Sequence, residues 1–210
     1  MITIDRPTIR KEARETLKGK WSQPVLASLI TLIVCVVIET TYHPSVGAPA
    51  FIGICGGLIG FFFYLNLVYG YSISLLRFCR GRENAVGQMF SAGFSENYLR
   101  ALGTVLLTYL FILLWSLLFL FPGLVKAYSY SMTFFIAEDH PEMTPNQCIE
   151  RSIAMMTGHK MDLFLLHLSF IGWILLGILT LGIGFLWIMP YINTAQAKFY
   201  EKLKTEIGEA

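Results

Sequence analysis

An all-α polytopic membrane bundle, with about six transmembrane helices and short cytoplasmic amphipathic helices between them, is the fold class that this sequence of 210 residues predicts. Three observations carry that prediction. The chain is 55% hydrophobic and only 14% charged, where soluble domains are roughly 25% charged. Its apolar residues gather in three blocks, 24–76, 101–137 and 163–197, which hold two charges between them, Glu39 and Lys126. Finally, all but one of the 16 lysines and arginines lie in segments that one alternating topology brings to a single face.

The first block breaks at 39–49, a stretch rich in proline and glycine, so spans are predicted over 22–40 and 51–76. The second of these is about 39 Å long at 1.5 Å per residue, so it must tilt or protrude from a hydrocarbon layer of roughly 30 Å. The next block is too long for one crossing and is expected to break at Phe121-Pro122-Gly123, giving spans over 101–120 and 124–137. In the last block Gly182 and Gly184 permit a tight turn over 180–184, giving spans over 162–179 and 184–200. A basic start, an apolar run over 25–38 and Ala48-Pro49-Ala50 have the outline of a secretory signal. The basic region is too long and the run too far from that site, so the run is read as a retained span.

Charge then orients the chain. Arg6, Arg10, Lys11, Arg14, Lys18 and Lys20 precede the first span, and Arg77, Arg80, Arg82 and Arg100 lie between the second and third. Arg151 and Lys160 follow the fourth, and Lys198, Lys202 and Lys204 close the chain. With six spans these share one face, which the positive-inside rule makes cytoplasmic, with both termini inside. One crossing over 163–189 would instead strand the last three lysines outside.

Each cytoplasmic segment is expected to hold a short amphipathic helix. The clearest covers 145–157, where Thr144, Pro145 and Gln147 supply an N-cap, a first-position proline and the far half of a capping box. Ile149, Ile153 and Met156 follow at helical spacing, and Gly158 is placed to end the helix. Within 1–21, Ile9, Ala13 and Leu17 form a comparable stripe ending at Gly19, with Trp21 at the interface. Arg10, Arg14 and Lys18 recur every four residues beside it, as candidate lipid-headgroup contacts. The middle segment, with Val86, Met89, Phe90 and Phe94, is interrupted by Gly87 and Gly93. Aligning Gly19-Lys20-Trp21 with Gly158-His159-Lys160 superposes Leu17 on Met156, a thin match for a threefold internal repeat.

Candidate chemistry is sparse. The motifs HExxH, GxSxG and GxxxxGK[ST] do not occur, so neither an enzyme nor a cofactor is expected. Basic residues fall where orientation signals belong, and nucleic acid is not an expected partner. Cys35, Cys55, Cys79 and Cys148 form no CxxC pattern and are expected to be free thiols. Glu138, Asp139, His140 and Glu142 precede the capped helix, with His159 and Asp162 after it. Such a helix separates its ends by about 20 Å, so a solvated loop is favoured over a cation site.

Inside the bilayer, Lys126 is expected to snorkel outward, with pairing to Glu39 or attraction of an anion as the functional alternatives. Asn66, Gly70 and Ser74 share one face of the second span, and Tyr130, Thr133 and His167 are candidates to meet it. Interhelical packing is favoured over a conduction path there. Gly53, Gly56, Gly57 and Gly60 form overlapping GxxxG patterns suited to close helix packing, within one copy or between two. The expected function is a non-enzymatic membrane component that engages lipid, anionic lipid included, or a membrane-protein partner or second copy. The competing readings are a small transporter or permease subunit with a polar path near Asn66 and, third, an intramembrane lipid enzyme.

A family resemblance accompanies these features. Pro122-Gly123-Leu124 through Ala127-Tyr128-Ser129-Tyr130-Ser131-Met132, then Cys148-Ile149, Arg151-Ser152 and Gly158-His159-Lys160, and finally Leu168-Ser169-Phe170-Ile171-Gly172-Trp173 together carry it. The chain resembles a bacterial integral-membrane family catalogued as domain of unknown function nine hundred and seventy-five. Ala13-Arg14, Leu17-Lys18-Gly19 and Trp21 are similar to its N-terminal signature, and Pro190-Tyr191 with Phe199-Tyr200 to its end. Met161 departs from the pattern, where tryptophan is expected. The segment from Arg151 to His159 also resembles, more distantly, the membrane domain attached to some glycerophosphodiester phosphodiesterases. The resemblance implies a bacterial cytoplasmic membrane location and carries no catalytic or binding residues.

Overall fold

A computed structural model describes residues 5–42, 50–94, 98–118 and 120–208, of which 39, 41–42, 50–55 and 120 are described by backbone alone. Among them the chain is entirely helical, in three successive units. In the first, α1 (Arg6–Leu17) turns through 96° into α2 (Ser22–Tyr42), which α3 (Ala50–Cys79) follows. In the second, α4 (Ala85–Phe94) leads to α5 (Tyr98–Leu118), then α6 (Leu120–Ser129) and α7 (Thr133–Asp139). In the third, α8 (Pro145–Met155) leads to α9 (Lys160–Leu168) and α10 (Ile171–Leu179), then α11 (Phe185–Glu206). Gly56–Cys79, Tyr98–Leu118 and Lys160–Leu179 are each long and apolar enough to cross a membrane, and the bent pair of α1 and α2 makes a fourth candidate.

Each unit closes on itself. Lys20 before α2 pairs with Glu83 after α3. Arg100 at the start of α5 donates to the carbonyls of Ala137, His140 and Met143, at 3.0, 2.6 and 2.9 Å, around the end of α7. The His159 ring before α9 lies 3.6 Å from Glu206, which ends α11. The short helix that opens each unit packs on the unit before it: α4 on α2 and α3, α8 on α5 and α7, and α1 on α9 and α11. The three therefore form a ring of overlaps.

The buried core sits toward the closed ends. Ile9, Ala13 and Leu17 of α1, Ile73 and Leu76 of α3, Ile136 of α7, Met156 after α8 and Phe199 of α11 are all fully buried in it. The far halves of the helices are bare: Leu117 and Leu179 are each 83% exposed, and α5 buries only Ala101, Thr104, Val105 and Thr108. Side chains so exposed need an apolar medium.

One predicted break moves, and two predicted spans are interrupted. Helix α6 runs straight through Phe121-Pro122-Gly123, and α5 ends before it at Leu118. Proline is tolerated there because first-turn amides have no partner within the helix. A Cβ on Gly123 would stand 2.4 Å from Ser116 Oγ, so the glycine serves close α5–α6 contact. The predicted span over 124–137 is broken at Tyr130–Met132, between α6 and α7. Its freed carbonyls find partners, since Ser152 Oγ donates to Ser129 at 2.8 Å and Gln196 Nε2 to Ser131 at 3.1 Å. The span over 162–179 is likewise interrupted, at Ser169-Phe170. The turn over 180–184 stands where expected, with Leu181 and Gly182 at φ 53° and 91° and Thr180 Oγ1 accepting from the Gly184 amide at 2.9 Å.

Candidate functional site

The ends of α3, α7 and α11 meet in a junction of ion pairs. Arg77 Nε donates to Glu138 at 2.6 Å, and its Nη1 to Gln88 of α4 at 2.8 Å. Arg80 grips Asp139 with both Nη atoms, at 2.6 and 2.8 Å, while its Nε reaches Glu201 at 2.8 Å. Lys204 and Tyr200 add donors to the same Asp139 oxygen at 2.8 and 3.0 Å. Despite burial, these donors hold the Asp139 carboxyl down at about 2, and the hydrogen bonds to Asp139 with the nearby Glu201 carboxylate push the Arg80 guanidinium up.

The six residues considered for a cation are thereby divided. Glu138 and Asp139 serve arginines, His140 lies 3.1 Å from Glu142, and His159 lies 3.4 Å from Asp162. Among the described residues no three such side chains gather as metal ligands.

Alongside, α1 forms one wall of an open groove of about 680 Å³ whose other walls come from α9 and α11. Pro7 stands in the first turn of α1, and the buried Ile9–Ala13–Leu17 stripe docks the helix, as the spacing predicts. Tyr191 Oη donates to the Arg10 carbonyl at 3.1 Å, and Lys202 reaches Glu12 at 3.1 Å. The helix therefore packs under the bundle while presenting Arg6, Arg10 and Arg14 to the groove. Lys18, which shares their four-residue spacing, does not line this groove. It is the C-cap of α1, with extended backbone, and turns toward a separate groove with Lys20, Arg82 and Glu83.

The polar face of α3 is covered by α4. Asn66 and Ser74 are fully buried. Asn66 Nδ2 donates to Phe62 at 2.9 Å and Ser74 Oγ to Tyr71 at 2.8 Å, both within their own helix. A Cβ on Gly70 would lie 2.1 Å from the Met89 carbonyl, and one on Gly93 would lie 2.6 Å from the Asn66 carbonyl. Of the two glycines that interrupt α4 in the sequence, Gly93 therefore lets it approach α3, whereas Gly87 faces the Asn84 side chain. Asn84, unrecognised in the sequence, caps α4 through the Gly87 amide at 3.0 Å.

None of the remaining candidates has a side-chain hydrogen bond to that face among the described residues. Tyr130 has its ring 6.3 Å from Phe111, and His167 lies 5.8 Å from Tyr128. Thr133 is fully buried in α7. The Lys126 ammonium stands 4.7 Å above the Trp115 ring, a cation–π contact that the sequence did not suggest. Expectations for the side chain of Glu39, and for Gly53 beyond its place in α3, lie outside the described side chains. Gly60 packs against Ile38 of α2, where a Cβ would come within 3.1 Å, and Gly57 is buried. Gly56 faces open space. Cys35, Cys79 and Cys148 are free thiols.

No curated protein and no solved structure matches the chain. The likeness to the membrane domain of the phosphodiesterases accordingly stays a resemblance of sequence. One family model does match, over residues 1–129 and 122–206. Those stretches contain the basic groove, the junction of ion pairs and all three helical units, and the chain belongs to the family described as protein of unknown function (DUF975).

Proposed function

We propose that this chain is a non-enzymatic, six-span protein of a bacterial cytoplasmic membrane, with both termini inside, which engages membrane lipid through its basic face. One observation supports the topology above the others: the start and end of every unit are tied together, by Lys20–Glu83, by Arg100 on the α7 carbonyls and by His159–Glu206. A unit whose ends meet crosses and returns, so three units make six crossings. Even numbers of crossings leave the basic segments together, as the positive-inside rule requires. The exposed apolar halves of α5 and α10 supply the lipid-facing belt, and α1 supplies arginines at its edge. The non-enzymatic part of the reading rests on the absence of catalytic motifs in the sequence.

Single cysteines labelled from either side of sealed vesicles test this reading. Gly182→Cys should react from outside, and Arg82→Cys, Gln147→Cys and Glu206→Cys only from inside. External labelling at position 206 would replace six spans with five. The transporter alternative finds no support in the Asn66 face, because α4 closes over it.

A further inference from the structure

We propose that the groove between α1, α9 and α11 is a binding site for one anionic phospholipid, whose phosphate is held by Arg6, Arg10 and Arg14. This rests on the lipid-engaging reading above and names its ligand and its place. The three arginines stand at positions i, i+4 and i+8 of α1, one cationic edge about 12 Å long. Among the described residues Asp5 is the one carboxylate lining the groove, and Thr8 Oγ1 already donates to it. Arg10 is the centre of the site. Its guanidinium lies 5.2 Å from the centroid of the Phe170 ring, which the α9–α10 break brings there, and Phe170 packs edge-on to Tyr191 at 5.0 Å.

Arg10 Nε is shielded from water and has no hydrogen-bond partner among the described residues. A buried donor without an acceptor is unfavourable. A phosphate oxygen is the acceptor that guanidinium groups fit best, because the planar fork offers two parallel donors.

A lipid fits better than a free phosphate because exposed apolar residues of α9 and α10 neighbour the groove-lining Leu165 and Ser169 along the chain. Phe164, Leu168 and Ile171 are 42%, 46% and 53% exposed, and acyl chains can lie along them. An interfacial helix carrying the charges, with bare membrane helices beside it, presents headgroup and tail contacts at adjoining depths.

The test uses the whole protein in mild detergent, titrated with dioleoylphosphatidylglycerol or dioleoylphosphatidylcholine and read by native mass spectrometry. Arg6→Gln with Arg14→Gln removes two exposed groove charges and spares the Arg10–Phe170 contact and the buried stripe. Lys18→Gln with Arg82→Gln removes as many charges from the neighbouring groove. Preference for the glycerol lipid in the wild type should fall about 30-fold in the first pair, at about five-fold per arginine, and stay within about two-fold in the second. Equal losses in both pairs, or no loss in the first, would overturn the groove while leaving lipid engagement standing. A wild type with no preference between the lipids would overturn both. Displacement of the glycerol lipid by excess inorganic phosphate would overturn the lipid assignment in favour of a free anion.

Discussion

Asp139 is the point at which the three returning helices are tied together, and replacing it with asparagine measures that tie. Its side chain is only 10% exposed and accepts from Arg80, Lys204 and Tyr200. The carboxyl is held at about 2, against an ordinary value of 3.8. One unit corresponds to 1.36 kcal/mol, so the ionised form contributes about 2 kcal/mol. Because the folded value is depressed, that contribution is complete above about pH 4 and is lost as pH falls toward 2. Asp139→Asn removes the charge and leaves Lys204 without its carboxylate, while Arg80 keeps Glu201.

The expected loss at pH 7 is about 2 kcal/mol, or roughly 4 to 8 °C in the unfolding midpoint at the scaling of a domain of this size. The loss of far-ultraviolet helical circular dichroism follows that midpoint at every pH, since the described residues are helical. The gap between wild type and variant should be constant from pH 7 to about pH 4 and close toward pH 2. A gap that persists at pH 2, or a variant as stable as wild type at pH 7, would refute the assignment of Asp139 as an ionised tie.

Other substitutions probe other contacts. Gly70→Ala drives a Cβ to within 2.1 Å of a backbone carbonyl of α4, so it should cost about 1 to 3 kcal/mol or more in thermal or SDS unfolding. Gly56→Ala, which meets nothing within 4 Å, should cost little. Ser152→Ala leaves the Ser129 carbonyl and the Met132 amide without their shared hydroxyl. It should cost about 1 to 3 kcal/mol, and a cost near zero would mean that the α6–α7 break is satisfied otherwise. Asn66→Leu should be neutral or stabilising by up to about 1 kcal/mol, because it removes an amide whose Oδ1 has no partner among the described residues. Cysteines at Asn66 and Ser74 should resist water-soluble thiol reagents in folded protein, and prompt reaction would reopen the transporter reading.

What the sequence disclosed and what it concealed divide by the distance between partners. The capping box at Thr144 and Gln147 is observed, with the Gln147 amide donating to Thr144 Oγ1 at 3.4 Å and Gln147 Oε1 accepting from the Thr144 amide at 2.8 Å. It was legible because both partners are three residues apart. The Ile9–Ala13–Leu17 stripe and the turn at Gly182 were legible for the same reason. Gly93 and Gly123 read as breaks, because the atoms that explain them belong to α3 and to α5. Arg100 read as an orientation signal only. Its role of satisfying the last carbonyls of α7 depends on a helix about forty residues onward, which no local pattern announces. Lys18 belonged to the four-residue series by spacing alone, but α1 ends at Leu17.

The faint repeat gains weight from backbone geometry. Superposing Gly19 on Gly158 puts two positive φ angles together, 79° and 92°, and also two equivalent turns. The Lys20 amide donates to Leu17 at 3.0 Å, and the His159 amide to Met156 at 3.2 Å. Leu17 and Met156, paired by the same alignment, are both fully buried. Each turn redirects a short helix into a long apolar one, which forces the short helix to lie across the bundle and cover a neighbour. Since α4 covers the first unit and α8 the second, α1 is left to cover the third. The chain's first helix is therefore docked by its last, through Lys202 on Glu12 and Tyr191 on Arg10. The arginine-lined groove exists only where that ring closes, which is why the α1 sequence shows the charges and not the site.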